Sequence, residues 1–171
     1  QAILAGDSLL TYAFELLSSP ELSDKLSSED RLRITQTIAK AIGPMGMVGG
    51  QSLDIDAEGK SITFETLKYL HSCKTGALIT AAAQTGAIIG KANNDQFLSL
   101  TNYGNKIGLA FQIVDDMLNV EGTAEQLGKA VGSDAEHNKA TYPSFFGIEK
   151  TREMAQAAVN GALESLAGFD D

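Results

Sequence analysis

FQIVDDMLN, residues 111–119, sets two adjacent aspartates inside a helical run of otherwise apolar residues. On a helix, its polar side chains fall at i, i+3, i+4 and i+7 and form one stripe: Gln112, Asp115, Asp116 and Asn119. Apolar side chains cover most of the remaining circumference: Ile107, Ala110, Phe111, Ile113, Val114, Met117 and Leu118. The pattern predicts a buried helix whose carboxylates face a cavity.

Two adjacent acids on a helix usually belong to a solvated surface. A surface helix, however, would leave the apolar residues on nearly every other side of this segment without burial. Ionised carboxylates in a low-dielectric cavity repel each other and lose solvation, so a bound cation is the expected compensation. Because hard oxygen ligands favour magnesium, the stripe predicts a magnesium site.

The composition limits the class of protein. The chain has 171 residues, 43% of them hydrophobic, which fits one globular domain with a sizeable core. A formal net charge of -9 and the lack of a basic run argue against a nucleic-acid-binding surface. No apolar run approaches the ~20 residues that cross a bilayer, so no membrane span is predicted. The single cysteine, Cys73, excludes internal disulfides and is compatible with a cytoplasmic location.

The pattern along the chain is helix after helix with short connections. Apolar spacing predicts a helix over residues 3–17, closed by Pro20, and a second over residues 28–42 with Ser27 or Ser28 as its N-cap and Gly43 with Pro44 as its stop. The glycines at positions 46, 49 and 50 are hard to place in a regular helix, since each costs ~1 kcal/mol relative to alanine. They are expected to permit close packing or a kink.

The second half of the chain continues the helical pattern. Helices are predicted from residue 64 to about 90, and from 93 or 94 to 122. Residues 122–140 read as a long glycine-bearing loop, and Thr141 with Pro143 opens a last helical region. No alternating run of strand length is present. The prediction is a single all-α domain over residues 1–171.

Three lysines are placed where they suit phosphate. Lys74 lies in the sequence KTG, residues 74–76, of the helix before the aspartate stripe, and antiparallel packing would bring it opposite that stripe. Lys129 and Lys139 lie in the loop that follows. Taken singly, each lysine, and also His71, is most simply an ordinary helix or surface side chain. Together with the two carboxylates they suggest a metal-bridged diphosphate site, and no P-loop is present to suggest a nucleotide triphosphatase.

Five motifs resemble those of the trans-prenyl diphosphate synthases, in the order of that family. They are AILAGDSLL (2–10), GMVGGQSLDI (46–55), HSCKTGALI (71–79), FQIVDDMLN (111–119) and LGKAVGSDAEHNKATYPSFFG (127–147). The resemblance is to bacterial farnesyl and geranylgeranyl diphosphate synthases and extends over nearly the whole chain. It implies a helical bundle around a central cavity, usually a homodimer, that condenses an allylic diphosphate with isopentenyl diphosphate and uses magnesium.

The resemblance also implies roles for single residues. Asp115 is the implied magnesium ligand, with Asp116 supporting the site. Lys74 and Lys129 are implied to contact the allylic diphosphate, and with Asp115 they form the implied catalytic group. Lys139 corresponds to a further lysine of the closing loop.

Three more residues complete the implied site. Thr75 and Gln112 correspond to polar residues that line it, and Phe111 to an aromatic of the cavity wall near the isoprenoid. Asn119 departs from the family, because the second aspartate-rich motif often ends in Asp. Since Asp115 is retained, metal binding is expected to survive this change.

A larger departure is an absence from the sequence. Neither a first aspartate-rich motif with its following arginines nor the amino-terminal basic site for isopentenyl diphosphate occurs in these residues. The chain is therefore expected to correspond to the carboxy-terminal part of such a synthase and to be catalytically inactive by itself.

Three functions remain open on these grounds. The chain is part of a prenyltransferase, a non-catalytic helical subunit that binds a catalytic partner, or a terpene cyclase. The retained lysines and Asp115 favour the first, because a contact module needs no diphosphate site. The KTG and GK segments fit chain elongation better than cyclisation.

Overall fold

A computed structural model describes residues 1–122 and 139–169 of the chain. These residues form helices and turns without any strand, which confirms the all-α prediction. The α-helices are α1 (Ala2–Ser18), α2 (Ser28–Ile42), α3 (Met47–Ala57), α4 (Phe64–His71), α5 (Ala77–Ile89), α6 (Asn94–Glu121), α7 (Tyr142–Phe146) and α8 (Ile148–Glu164). Within the described ranges, no helix is both long enough and apolar enough to cross a membrane.

Local chemistry sets both ends of α2. The Ser27 hydroxyl accepts a hydrogen bond from the backbone N–H of Asp30 at 3.1 Å. Acidic residues occupy the first turn, where their negative charges interact favourably with the positive end of the helix dipole. Gly43 ends the helix. The inward face of α2 buries Ile34, which packs in a cluster with Leu26, just before α2, and with Ile88 of α5. The predicted bounds, N-cap and stop of this helix are confirmed.

Helix α6 is the central element, packed against α5 on one side and α8 on another. Asn93 forms a capping box with Gln96, and the helix ends at Gly122 as predicted. The contact with α5 is close: a Cβ on Gly104 would lie 2.7 Å from Thr80 Cα. The two backbones approach because glycine occupies the crossing.

The expected burial around α6 is only partly correct. Ile113 and Met117 are buried in an apolar cluster, but 57% of Phe111 is exposed, and Val114 and Leu118 are exposed as well. The reason is geometric. The described elements pack against two sides of α6 and leave a third, apolar side open to solvent.

Two expectations for the preceding helices are corrected. Gly49 and Gly50 lie inside regular helix α3, although they were expected to be unfavourable there. The predicted helix over residues 64–90 forms, but a π-helical turn at Ser72–Gly76 interrupts it between α4 and α5. Both departures meet at one crossing, because a Cβ on Gly50 would lie 2.3 Å from the backbone nitrogen of Lys74. The expected close packing is therefore confirmed, and it is the reason that this position needs a glycine.

Candidate functional site

A polar pocket of about 50 Å³ lies between α3, α4, the π turn, α6 and the residues before α7. Its lining comes from four separate stretches of the chain: Asp54, Leu70, His71, Lys74, Gln112, Asp115, Asp116, Lys139, Ala140 and Thr141. Five of these were predicted from the sequence as site residues: Lys74, Gln112, Asp115, Asp116 and Lys139. The fold thus brings the aspartate stripe together with two of the three predicted lysines.

Asp54 of α3 links the two lysines. Lys74 Nζ donates a hydrogen bond to Asp54 Oδ2 at 2.8 Å, and Lys139 Nζ donates to the same oxygen at 2.9 Å. Lys139 Nζ also lies 3.3 Å from Glu58 Oε1. Sequence reasoning missed Asp54, although it lies in the motif GMVGGQSLDI. Nothing in the sequence linked Asp54 to the lysines, because that link depends on the packing of Gly50, one helical turn earlier, against the backbone of Lys74.

The ion pairs shift the pKa values of two members of this network. Burial alone would raise the pKa of Asp54, but the hydrogen bonds from Lys74 and Lys139 outweigh it and lower that pKa. Burial would likewise lower the pKa of Lys139, yet its bonds to Asp54 and Glu58 outweigh burial and raise it. Both groups are therefore charged at neutral pH.

The two aspartates of the stripe have different surroundings. Asp116 is buried, and its Oδ2 accepts a hydrogen bond from the backbone N–H of Tyr142 at 2.8 Å. Its Oδ1 lies 3.8 Å from His71 Nε2. Asp115 is half-buried and lines the pocket. Asp116 therefore fastens the start of α7 to α6, while Asp115 is the more accessible carboxylate.

His71 differs from the ordinary histidine expected at this position. It is 7% exposed, stacks on the ring of Tyr142 at a centroid distance of 5.8 Å, and its Nδ1 is buried without a hydrogen-bond partner. Burial, and then the charge of Lys74, lower the pKa of His71 to about 4. The imidazole is consequently neutral near pH 7. For Tyr142, burial followed by the charge of Asp116 raises the pKa to about 12.

Three predicted residues are not among those that line the polar pocket. Thr75 is half-buried in the π turn, and Phe111 lies on the open side of α6. Lys129 falls outside the described residues, as does most of the predicted loop that holds it. The roles assigned to these three residues stay predictions.

The oxygen atoms that line the pocket fit a magnesium ion that is held jointly by the protein and by substrate phosphates. Among residues 1–122 and 139–169, no three His, Cys, Asp or Glu side chains meet as a metal site. Magnesium that bridges substrate phosphates is commonly held by only one or two carboxylates, with the phosphates and water supplying further oxygens. Asp115 can supply such a carboxylate, and the neighbouring lysines can bind the phosphate oxygens.

Comparison with known proteins identifies the family. The family model described as polyprenyl synthetase matches residues 1–166. This chain belongs to the polyprenyl synthetases. It is 43% identical over 169 residues to farnesyl diphosphate synthase of Geobacillus stearothermophilus, an alignment that covers 99% of the chain and 57% of the relative. To farnesyl diphosphate synthase of Escherichia coli strain K12 it is 43% identical over 166 residues, covering 96% of the chain and 55% of the relative.

Solved polyprenyl synthetase structures share the fold. A geranyltransferase from Helicobacter pylori, solved with magnesium and isoprenyl diphosphate, superposes with a TM-score of 0.82 at 32% identity, covering 96% of this chain and 53% of that one. An apo FPP/GFPP synthase from Zymomonas mobilis gives a TM-score of 0.80 at 38% identity, covering 99% and 55%. The chain spans about half the length of the relatives that it matches.

Proposed function

We propose that the protein carrying this chain is a magnesium-dependent prenyltransferase. It condenses isopentenyl diphosphate with an allylic diphosphate, dimethylallyl or geranyl diphosphate, to give a longer prenyl diphosphate. One observation carries the proposal: Lys74 and Lys139, far apart in sequence, meet at Asp54 beside the carboxylate of Asp115. Membership of the polyprenyl synthetase family supports the same reaction.

The proposed reaction needs a site that accepts a departing polyanion. The bond between the allylic carbon and the diphosphate oxygen breaks, and the electron pair leaves with the diphosphate. The double bond of isopentenyl diphosphate then attacks the allylic carbon, and loss of a proton gives the product. Lys74 and Lys139 donate hydrogen bonds to the diphosphate, and bound magnesium supplies further neutralisation of its charge.

The remaining roles in this proposal follow the family. Asp115 binds magnesium, and buried Asp116 supports the site by holding the start of α7 against α6. Gln112 and Thr75 present polar groups, Phe111 lies near the hydrocarbon chain, and Lys129 binds the diphosphate together with Lys74. We further infer a cytoplasmic homodimer in which these residues form part of an all-α domain.

Substitution of Asp115 tests the proposal. The complete reading frame is expressed, and incorporation of labelled isopentenyl diphosphate into longer products is measured with geranyl diphosphate and magnesium. Asp115→Ala is expected to lower kcat by two orders of magnitude or more, roughly the effect of removing one group that stabilises transition-state charge. Asp56→Ala, an exposed acid on α3, serves as the control and should retain activity.

Two results would contradict the proposal in different ways. Near-normal turnover of Asp115→Ala would refute the metal assignment. An unsubstituted protein that binds the substrates but never extends them would refute prenyl transfer.

A non-catalytic subunit is the second candidate function. The observation behind it is that one relative, 43% identical, is named as the large subunit of a heterodimeric geranylgeranyl pyrophosphate synthase from Arabidopsis thaliana, so assembly with a different subunit occurs among the relatives. The retained lysine pair argues for catalysis, because a subunit that only makes contacts has no use for a diphosphate site. A complete protein that extends substrate without any added partner would exclude the subunit role.

A further inference from the structure

Asp54 is unusual because one of its carboxylate oxygens accepts hydrogen bonds from two lysine ammonium groups. Both lysine ammonium groups lie within hydrogen-bonding distance of Oδ2, at 2.8 and 2.9 Å, and the Asp54 side chain is only 13% exposed. The roles predicted for Lys74 and Lys139 do not include a carboxylate that binds both of them. Asp54 must therefore be explained separately from the substrate contacts.

Without a carboxylate between them, the two lysines would not stay close. Their charges repel each other, and each long side chain loses considerable rotamer freedom when it is held in one place. Asp54 offsets the repulsion and fixes both ammonium groups. Glu58, one turn further along α3, holds Lys139 a second time.

The position of Asp54 is itself tightly constrained. Helix α3 lies against the π turn through Gly50, which leaves no room for a side chain beside the backbone of Lys74. The carboxylate therefore sits at a set distance from Lys74. From there it also reaches Lys139, which lies 85 positions further along the chain, just before α7.

We infer that Asp54 is a positioning residue, which holds Lys74 and Lys139 as a preformed pair for one diphosphate group. This inference rests on the proposed function. Asp54 acts through the two lysines and does not touch the reacting atoms. Its contribution is therefore expected in the binding of the diphosphate, because ordering the two side chains beforehand removes that cost from the binding step.

Electrostatics alone predicts the opposite effect. Removing the negative charge of Asp54 makes the pocket more positive, which by itself would favour a diphosphate. Positioning and simple charge balance can therefore be distinguished by the sign of the change in KM.

The test is a double-mutant cycle in the complete protein. Asp54→Asn, Lys139→Ala and the double variant are compared for KM and kcat with geranyl diphosphate. Asp54→Asn is expected to raise KM about tenfold, because the side chains of Lys74 and Lys139 are then no longer ordered before the diphosphate binds. A much smaller change is expected in kcat. Because Asp54 acts partly through Lys139, the rise in KM of the double variant should stay well below the product of the two single rises.

The outcomes separate this inference from the proposed function. A lowered or unchanged KM for Asp54→Asn, or fully multiplicative effects in the double variant, would overturn the positioning role while prenyl transfer by the unsubstituted protein still stands. Asp56→Asn, on the exposed side of α3, is the matched control and should behave as the parent. Circular dichroism checks that each variant is folded; if Asp54→Asn is not, Asp54→Glu replaces it in the same cycle.

Discussion

Asp115 and Asp116 are adjacent and chemically identical, yet the fold gives them different surroundings. Asp116 is buried and receives the backbone N–H of Tyr142, whereas Asp115 is half-buried at the edge of the pocket. The periodicity of α6 was sufficient to predict that both lie on one polar stripe. It could not show which of them anchors a neighbouring helix, because that depends on a backbone group 26 positions away.

The lowered pKa of the buried His71 imidazole predicts a measurable dependence of stability on pH. Its pKa falls from an ordinary 6.5 to about 4 in the folded state. As the pH drops below 6.5, the unfolded chain therefore binds a proton that the folded chain does not, and the free energy of unfolding decreases until the pH reaches about 4. Between pH 7 and pH 5 this loss is about 2 kcal/mol.

The measurement is urea unfolding at pH 7 and pH 5. In His71→Gln the loss of stability between the two pH values should be smaller than in the parent by about this amount, since glutamine does not titrate. Equal losses in the two proteins would show that His71 is not held neutral by burial. The comparison uses the pH dependence, so a uniform destabilisation by the substitution does not affect it.

At the scale of elements, the crossing of α3 with the π turn positions the site. π turns inside helices are rare and often occur at functional sites, and this one carries Lys74 and Thr75. The glycine at position 50 lets α3 approach closely enough for Asp54 to reach Lys74. The sequence indicated close packing from its glycines, but it contained no signal for the π turn.

Two glycine substitutions test this crossing. Gly50→Ala would place a Cβ 2.3 Å from the Lys74 nitrogen, so it should destabilise the protein by about 1–3 kcal/mol, the usual range for overpacking. Gly86→Ala, in α5, meets no atom within 4 Å and should be stabilising by roughly 0.5–1 kcal/mol, because alanine favours helix. Urea unfolding of both variants measures the difference. Equal effects would mean that the crossing is not closely packed.

At the scale of the molecule, the described residues expose a large apolar surface. Helix α1 buries none of its residues, and its exposed apolar side chains include Ile3, Leu4, Leu9, Leu10, Tyr12 and Leu16. The open side of α6 adds Phe111, Val114 and Leu118. Large apolar side chains exposed in this number usually mark an interface.

We expect this chain, expressed alone, to self-associate through α1. Sedimentation velocity at micromolar concentration should show species larger than one chain, and Leu9→Glu should shift the distribution toward the single chain. Thr11→Glu, which adds the same charge to α1 at an already polar position, is the control and should have a smaller effect. A single-chain species in the unsubstituted protein would rule out the expected association.

We also expect the isolated chain to lack prenyltransferase activity. Its sequence contains one aspartate-rich motif, and the reaction proposed above is expected to need metal ions held between two such motifs. The purified chain, free of any longer form, is incubated with magnesium, isopentenyl diphosphate and dimethylallyl or geranyl diphosphate. Formation of longer products would show that a single aspartate-rich motif is sufficient.

Helical periodicity, capping residues and turn signals determined the all-α class, the bounds of α2 and α6, and the stripe that carries Asp115, because these depend on contacts within a few residues. The motifs also led to the prediction that Lys74, Lys129 and Lys139 bind phosphate, which stays a prediction. Only the tertiary structure showed that Asp54 joins Lys74 to Lys139, that Asp116 anchors α7, and that one side of α6 is open. Each of these depends on groups brought together from distant parts of the chain, where local spacing carries no information about distance.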